Sequence, residues 1–271
     1  MKLNQWNPKH YQYNSLIQQN NALDLLSALY TFHGNESILD IGCGDGKITS
    51  WIAQKIIFGQ VIGIDKSFEM LQFAKQSHTS KNLIFTHCDI NDSCFNEEFD
   101  LAVSFNCLHW IQGLNTACEK IFNAIKPGGI FLGLVYPRCD SLWIPAEKLS
   151  NAPEFRCYFK DFQNPYAFIN NNDYKNSFKE ASFNEVKITT IKNESKFKEK
   201  NEFTGYISGW LPHINAIPIE KQHIFLDQYY DLFMLETNQP PTLHLHSVMS
   251  NIIYGATKKE YNKYEYKAAT Y

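Results

Sequence analysis

Three aspartates, each near the end of a predicted buried strand, are the residues of this sequence best suited to chemistry. They are Asp40, Asp65 and Asp89, and Asp65 follows Asp40 by 25 residues. In a parallel sheet, an acid at the end of the second strand is placed to accept hydrogen bonds from the two ribose hydroxyls of a nucleoside. Either acid, Asp65 or Asp89, would alternatively serve only to cap the turn that follows its strand.

A glycine-rich turn directly follows the first of these acids. Its residues run Asp40-Ile41-Gly42-Cys43-Gly44-Asp45-Gly46, which is not the Gly-x-Gly-x-x-Gly spacing of dinucleotide sites. Bare glycine backbone before a helix lets a ligand approach closely. The carboxylate of Asp40 would repel a pyrophosphate but attract an ammonium or a sulfonium, and S-adenosylmethionine (SAM) carries both. Charge therefore favours SAM over NAD, the alternative being a packing turn that binds nothing.

The elements that must position these residues alternate between strands and helices. The predicted strands are the apolar runs Ser37–Ile41, Val61–Asp65, Leu83–Ile90, Phe99–Phe105 and Ile130–Val135. Such alternation predicts an α/β fold with a doubly wound, mostly parallel sheet and right-handed crossovers. Ligands of these sheets bind beyond the carboxyl ends of the strands, which is where the three aspartates and Phe105 fall.

The pattern changes after Tyr136, and we predict two regions. Residues 1–136 would be the SAM-binding core with an amphipathic N-terminal helix, and residues 137–271 would add helical lid inserts, at about 137–172 and 200–240. Two late strands, at 184–197 and 244–257, would complete the same sheet as antiparallel edge strands, giving seven strands in all. The polar tail after residue 257 is expected to be loose.

Composition excludes several classes of partner. The 271 residues are 44% hydrophobic and 15% aromatic, with a net charge of −3, so we expect neither nucleic acid nor a membrane surface as partner. Seven scattered cysteines without a Cys-x-x-Cys pair argue against a disulfide framework and a cysteine-rich zinc site. His244 and His246 have a spacing that metals use, but no third ligand is evident, so no metal is predicted.

The sequence shows no sign of a targeting or membrane segment. The start, Met1 to Trp6, is polar rather than typical of a signal peptide, and no run of 18 apolar residues occurs. We therefore expect a cytoplasmic location.

Several motifs in this order resemble the class I SAM-dependent methyltransferases, over roughly residues 35–135. They are Asp-x-Gly-x-Gly, the acid after strand two, Cys88-Asp89-Ile90, Asp100 opening strand four, and Lys126-Pro127-Gly128-Gly129. More narrowly, the segments Trp6-Asn7-Pro8 with Tyr11, and Ser104 to Ile111, are similar to trans-aconitate and juvenile-hormone-acid methyltransferases. Those enzymes make methyl esters of small carboxylic acids.

The resemblance implies a role for each cofactor-binding residue. Asp40 and the backbone of Gly42, Cys43 and Gly44 would hold the methionine part of SAM, and Asp65 would hold the ribose. Lys66 or Met70 would contact the adenine, together with Asp89 and Ile90. Phe105 would flank the methionine chain, and Tyr11 would close over the cofactor. Phe105 and Tyr11 have the alternative of being ordinary packed aromatics.

The predicted reaction is an in-line transfer of the methyl group to a small-molecule acceptor. A carboxylate is already ionised at neutral pH and needs no base, whereas a phenol or an amine would need one, for which His109 is the candidate. Trp110, Tyr136, Arg138 and Trp210 are the predicted acceptor-binding residues. Arg138 would grip a carboxylate bidentately, unless it pairs with Asp140 or Glu147. Malonyl-thioester carrier-protein methylation and non-catalytic SAM binding are the alternative functions.

Overall fold

The computed structural model describes residues 8, 11, 15–238 and 244–256. They form an α/β fold, in which helices cover the faces of one seven-stranded sheet. The strands are β1 (Ser37–Ile41), β2 (Gln60–Asp65), β3 (Leu83–His87), β4 (Phe99–Phe105), β5 (Ile125–Val135), β6 (Glu185–Phe197) and β7 (His244–Ala256). The predicted residues Trp6 and Asn7 and the tail after residue 257 lie outside the described residues.

The strand order is β3-β2-β1-β4-β5-β7-β6. Strands β1 to β5 are parallel, and β7 pairs antiparallel with both β5 and β6. The Rossmann-like, mostly parallel prediction is thereby confirmed, with a parallel part of five strands. The order reverses between β1 and β4, so a crevice opens beyond their carboxyl ends, where ligands of such sheets bind.

Eight helices connect or cover the strands in the described part of the chain. They are α1 (Leu16–Leu29), α2 (Lys47–Lys55), α3 (Phe68–Ser77), α4 (Leu114–Ala124), α5 (Asp140–Asn151), α6 (Asn171–Glu180), α7 (Lys200–Trp210) and α8 (Ile219–Thr237). In α4 the buried residues Ala117, Ile121 and Ala124 recur at helical spacing, which explains why this segment packs against the sheet. None of the described helices combines the length and the apolar character that crossing a membrane requires.

Two element boundaries have a clear local cause. Strand β5 begins at Ile125 rather than Ile130, because Ile125 pairs with Phe99 before a register shift. Helix α6 begins at Asn171 because Asn170 caps it: the side-chain Oδ1 of Asn170 accepts a hydrogen bond from the Asp173 backbone N–H at 3.0 Å.

Helices α5, α7 and α8 form a second hydrophobic cluster, which we call the helical cap. Trp143, Phe203 and Tyr229 are among its fully buried side chains. The Tyr229 hydroxyl donates to the Leu142 carbonyl at 2.7 Å, which ties α8 to α5. Since Trp110 and Tyr136 from the end of the sheet also pack against it, the helical cap lies over the carboxyl edge of the strands.

Candidate active site at the carboxyl edge of the sheet

The glycine turn between β1 and α2 adopts a conformation that only glycine takes readily. Gly42, Gly44 and Gly46 all have positive φ, at 74°, 54° and 78°. The backbone N–H groups of Gly42 and Cys43 both donate to the Ile64 carbonyl, at 2.8 and 3.0 Å. These bonds hold the turn against the end of β2 and keep its exposed backbone next to Asp65.

Gly42 also lies directly against Cys107, in the segment that follows β4. A Cβ added at this position would lie 2.2 Å from the Sγ of Cys107, well inside contact distance. Gly44 has more room, because its nearest neighbour would be the Met70 methyl at 3.4 Å. Glycine at 42 is therefore required by both conformation and packing, and glycine at 44 by conformation.

Asp40 is a buried carboxyl that accepts a hydrogen bond from a neutral donor. It is 2% exposed, and its Oδ2 accepts from the Thr49 hydroxyl at 2.7 Å. Burial raises the pKa of Asp40 to about 7; the Thr49 hydrogen bond opposes this rise, and the negative charge of Asp65 adds to it. A cation placed here would stabilise the ionised form, which suits the charge of the SAM methionine group.

Asp65 holds the turn and the start of α3 together. Its Oδ2 accepts from the Gly44 N–H at 2.9 Å and its Oδ1 from the Ser67 N–H at 2.8 Å. Burial raises the pKa of Asp65, while these two bonds lower it. A carboxylate oxygen has two lone pairs, so both oxygens can still accept from a ribose hydroxyl.

The residues predicted to contact adenine lie along the ends of β2 and β3. Asp89 caps a short 3-10 turn, Ile90–Asp92, by accepting from the Asn91 N–H at 3.0 Å. Ile90 and Met70 are 3% exposed and Lys66 is exposed. The capping alternative for Asp89 is therefore observed, and its binding role stays a prediction.

The end of β4 carries a residue that the sequence analysis missed. Asn106 follows Phe105 with φ of 59°, and its N–H donates to the Leu134 carbonyl at 2.9 Å. Its buried Oδ1 has no hydrogen-bond partner among the described residues. Phe105 itself is 5% exposed and packs in the core between the sheet and α1. Asparagine tolerates a left-handed conformation better than most residues, which was the available signal.

A partly open cavity adjoins this end of the sheet, beneath the helical cap. Its lining consists of Tyr11, Gln18, Asn106, His109, Trp110, Tyr136, Pro137, Cys139, Leu142, Trp143, Tyr166, Tyr206 and Trp210. Seven of these thirteen residues are Tyr or Trp, and none is Asp, Glu, Lys or Arg. The cavity therefore suits a flat or apolar body without charge.

Five of the predicted site residues lie in this lining: Tyr11, His109, Trp110, Tyr136 and Trp210. Burial raises the pKa of the Tyr11 phenol above its ordinary range, and the charges of Asp45 and Asp65 add to that rise. Tyr11 thus lies between the acidic turn and the cavity. Gln18, Tyr166 and Tyr206 are lining residues that sequence reasoning missed, because their segments show no motif.

His109 is almost fully enclosed by aromatic rings. It is 3% exposed, with ring centroids of Tyr166, Trp110 and Tyr136 at 4.8, 5.5 and 6.0 Å. Burial lowers the pKa of His109 to about 3. So weak a base accepts a proton poorly, so the predicted general-base role is not supported by its surroundings.

Tyr136 links the cavity to the N-terminal helix. Its hydroxyl accepts from the Asn21 side chain at 3.1 Å, and its carbonyl accepts from the Tyr166 hydroxyl at 2.6 Å. Burial raises the pKa of Tyr136 to about 12, so it remains a neutral phenol. Helix α1 and the segment that carries Tyr166 are therefore both fixed to the residue that follows β5.

Arg138 is paired with two carboxylates of α5. Its Nε donates to Asp140 at 2.6 Å, and its two terminal nitrogens donate to the two carboxylate oxygens of Glu147, at 2.7 and 3.0 Å. It also lies over the Phe168 ring, at 5.0 Å from the centroid, and it does not line the cavity. The pairing with Asp140 and Glu147, which was the alternative to an acceptor role, is therefore observed, and the acceptor role of Arg138 stays a prediction.

Residues 39–133 match a family described as a methyltransferase domain. The putative methyltransferase 235L of Invertebrate iridescent virus 6 is 27% identical over 223 residues, which cover 82% of this chain and 83% of that protein. The juvenile hormone acid O-methyltransferase of Drosophila melanogaster is 22% identical over 239 residues, which cover 82% of this chain and 80% of that protein.

A solved structure with the same fold is Haemonchus contortus phosphoethanolamine N-methyltransferase 2 in complex with S-adenosylhomocysteine. Its TM-score is 0.57 at 19% identity, over 89% of this chain and 53% of that chain. Fold, family match and site agree: the chain carries a methyltransferase domain, and the protein is an enzyme of the SAM-dependent methyltransferase class. The predicted resemblance to this class and the predicted cofactor are confirmed.

Proposed function

We propose that this enzyme transfers the SAM methyl group to the carboxylate of a small acid whose body is uncharged, giving a methyl ester. The observation that carries the proposal is that the described residues of the cavity lining include no good base. Its thirteen residues include no Asp, Glu or Lys, and the pKa of the one histidine, His109, is lowered to about 3 by burial. A carboxylate needs no base, because it is ionised at neutral pH.

The residues of the glycine turn fit SAM, which, when bound, supplies a methyl group activated by a positively charged sulfur. Asp40 and Asp65 would neutralise and orient the cationic end and the ribose, and Asp89 and Ile90 would border the adenine. The juvenile hormone acid O-methyltransferase, by its name, methylates a carboxylic acid, and it resembles this chain over most of its length.

The chain's own contribution to the transfer would be positioning in a dry cavity. Trp110, Tyr136 and Trp143 surround the space beside the strand ends, and the helical cap covers it. Excluding water strengthens the attraction between an acceptor carboxylate and the sulfonium. Holding the attacking oxygen near the methyl carbon converts a bimolecular reaction into an effectively unimolecular one.

One other acceptor class has a specific observation in its favour. Aromatic walls attract ammonium groups through their π faces, so the seven Tyr and Trp residues would also suit an amine. Methylating an ammonium ion requires the loss of a proton, however, and the lining offers no good base to take it. The need for a base therefore favours a carboxylate over an amine as the acceptor.

The experiment is a panel of acceptors assayed by the release of S-adenosylhomocysteine. The panel contains benzoate, octanoate, citrate, phenol, phenethylamine and a malonyl thioester. We expect a base-labile methyl ester of benzoate or octanoate, with citrate and the thioester turned over poorly, because no cation in the lining balances a second charge. Turnover of phenol or phenethylamine alone would contradict the proposal, and the malonyl thioester as best substrate would favour the carrier-protein alternative.

A matched pair of variants tests whether the cavity is where the acceptor binds. Trp110→Phe changes the lining, whereas Trp51→Phe changes α2, where Trp51 packs against Phe32 outside the cavity. The proposal requires a higher KM for the acid in Trp110→Phe and an unchanged KM in Trp51→Phe. Equal effects of the two substitutions would place the acceptor elsewhere.

A further inference from the structure

We propose that His109 binds the acceptor carboxylate as a neutral hydrogen-bond donor, through the proton on its Nε2 atom, and not as a base. This inference rests on the proposed function. It assigns one residue of the cavity to the charged end of the acceptor, since the described part of the lining holds no Lys or Arg to do so.

The position of the ring is fixed by its backbone and its neighbours. His109 lies in the short 3-10 turn Leu108–Trp110 that follows β4, and its carbonyl accepts from the Ala167 N–H at 2.8 Å. The rings of Tyr166 and Tyr136 pack against it from the two segments that face this turn. The imidazole is therefore held at the border between the strand ends and the cavity.

The surroundings of His109 keep the ring neutral. The groups that face it are the indole of Trp110 and the phenols of Tyr136 and Tyr166, and burial raises the pKa of both phenols, to about 12 for Tyr136. None of these groups carries a charge at neutral pH. With no carboxylate to stabilise an imidazolium, the pKa of His109 stays far below 7, at about 3.

A neutral imidazole carries one N–H, and the structure indicates which nitrogen holds it. Nδ1 is buried and has no hydrogen-bond partner in the described part of the chain. A proton on Nδ1 would be a buried donor without an acceptor, which is costly. With the proton on Nε2, Nδ1 is left as an unpartnered acceptor, which proteins tolerate better than an orphaned N–H. A ligand in the cavity can then accept from the Nε2–H, so we assign the proton to Nε2.

With this assignment, the two oxygens of the acceptor carboxylate have different roles. One oxygen accepts the Nε2–H bond and is held, while the other is free to attack the methyl carbon. The new O–C bond forms as the C–S bond breaks, and the electron pair of that bond passes to sulfur, leaving a neutral thioether and a neutral ester. No proton moves, so the step requires a donor that stays protonated at Nε2 and no base.

Two substitutions separate a donor from a base. In His109→Gln the amide supplies an N–H but cannot titrate, and in His109→Phe the ring shape is kept without a donor. With the panel acid of highest kcat/KM, we expect His109→Gln to retain most of the activity and His109→Phe to raise KM by about ten-fold or more, as loss of a bond to a charged group does. An equally large loss in both variants, or an unchanged KM in His109→Phe, would overturn the inference.

Nitrogen-15 NMR of the histidine side chains supplies a measurement that does not depend on turnover. The His109 signals are identified by their loss in His109→Gln. We expect the Nε2–H tautomer and no titration between pH 5 and 8, whereas the Nδ1–H tautomer or a pKa in that range would overturn the inference. If the panel shows only amine methylation, the proposed function fails while the tautomer result still stands, so the two failures are distinguishable.

Discussion

The two halves of the site bind by different means. The cofactor side is a short turn of positive-φ glycines with backbone N–H groups. The carboxylates of Asp40 and Asp65 lie beside this turn. On the acceptor side, seven Tyr and Trp residues line the cavity, and none of its described lining residues is Asp, Glu, Lys or Arg. The first half suits a charged, polar molecule held by fixed hydrogen bonds, and the second suits an apolar body enclosed by shape.

The difference reflects how each half is assembled from the chain. The turn, Asp65 and Asp89 all lie at consecutive strand ends of the parallel sheet, within 50 residues of one another. The cavity draws its lining from α1, the end of β4, the segment after β5 and the helical cap. A site built from strand ends is determined by local turn geometry, whereas a site built from distant segments depends on how those segments pack.

The largest expected effect comes from adding a methyl group at Gly42. In Gly42→Ala the new Cβ would overlap the Sγ of Cys107, at 2.2 Å, and φ would remain at 74°. The turn must then move away from β4 and lose its approach to the cofactor. We expect calorimetry to show no binding of S-adenosylhomocysteine, and urea unfolding to show a clear loss of stability.

Gly113→Ala is the matched control for this prediction. Gly113 has a φ of 82°, but a Cβ there would meet nothing within 4 Å. It therefore reports the conformational cost alone, about 1–2 kcal/mol, and should leave cofactor binding intact. If both variants bound the cofactor equally well, the close approach of Gly42 to Cys107 would have no role in the site.

The cofactor half was predictable from sequence because its signals are local. Asp40, the glycine spacing and Asp65 follow from strand periodicity and from what a turn with positive φ requires. Gln18, Tyr166 and Tyr206 could not be found in this way, because their contact with the cavity depends on the packing of α1 and the helical cap. Arg138 shows the same limit: its position after β5 was predicted, but its pairing with Glu147 depends on where α5 begins.

A smaller effect is expected from the charge of Asp40, which makes the free energy of unfolding depend on pH. The folded state raises the pKa of Asp40 from 3.8 to about 7, so it binds this proton more tightly than the unfolded state does. The free energy of unfolding should therefore fall as pH rises from about 4 to 7, by up to about 1.4 kcal/mol per pH unit. Asp40→Asn should remove that part of the slope, measured by urea unfolding without cofactor.

The exposed residue Asp24 on α1 provides the control substitution, Asp24→Asn. Wild type and Asp24→Asn should show the same slope between pH 4 and 7, and Asp40→Asn a smaller one. Identical slopes in all three proteins would mean that Asp40 is ionised in the folded state at low pH, and that the acidic turn is better solvated than its 2% exposure indicates.

The smallest expected effect lies at the rim of the acceptor half, where Arg138 pairs with Asp140 and Glu147. These carboxylates are 68% and 44% exposed at their side chains, and ion pairs of this kind contribute only about 0–1 kcal/mol. Arg138→Lys keeps the charge but loses the two-pronged bond to Glu147. We expect a shift in melting temperature of no more than about 4 °C. The KM for the monocarboxylic acid should be unchanged, because the guanidinium does not line the cavity.

A large rise in KM for citrate but not for octanoate would show that Arg138 breaks its bonds to Asp140 and Glu147 and binds a second carboxylate of the acceptor. The acceptor half would then use charge as the cofactor half does.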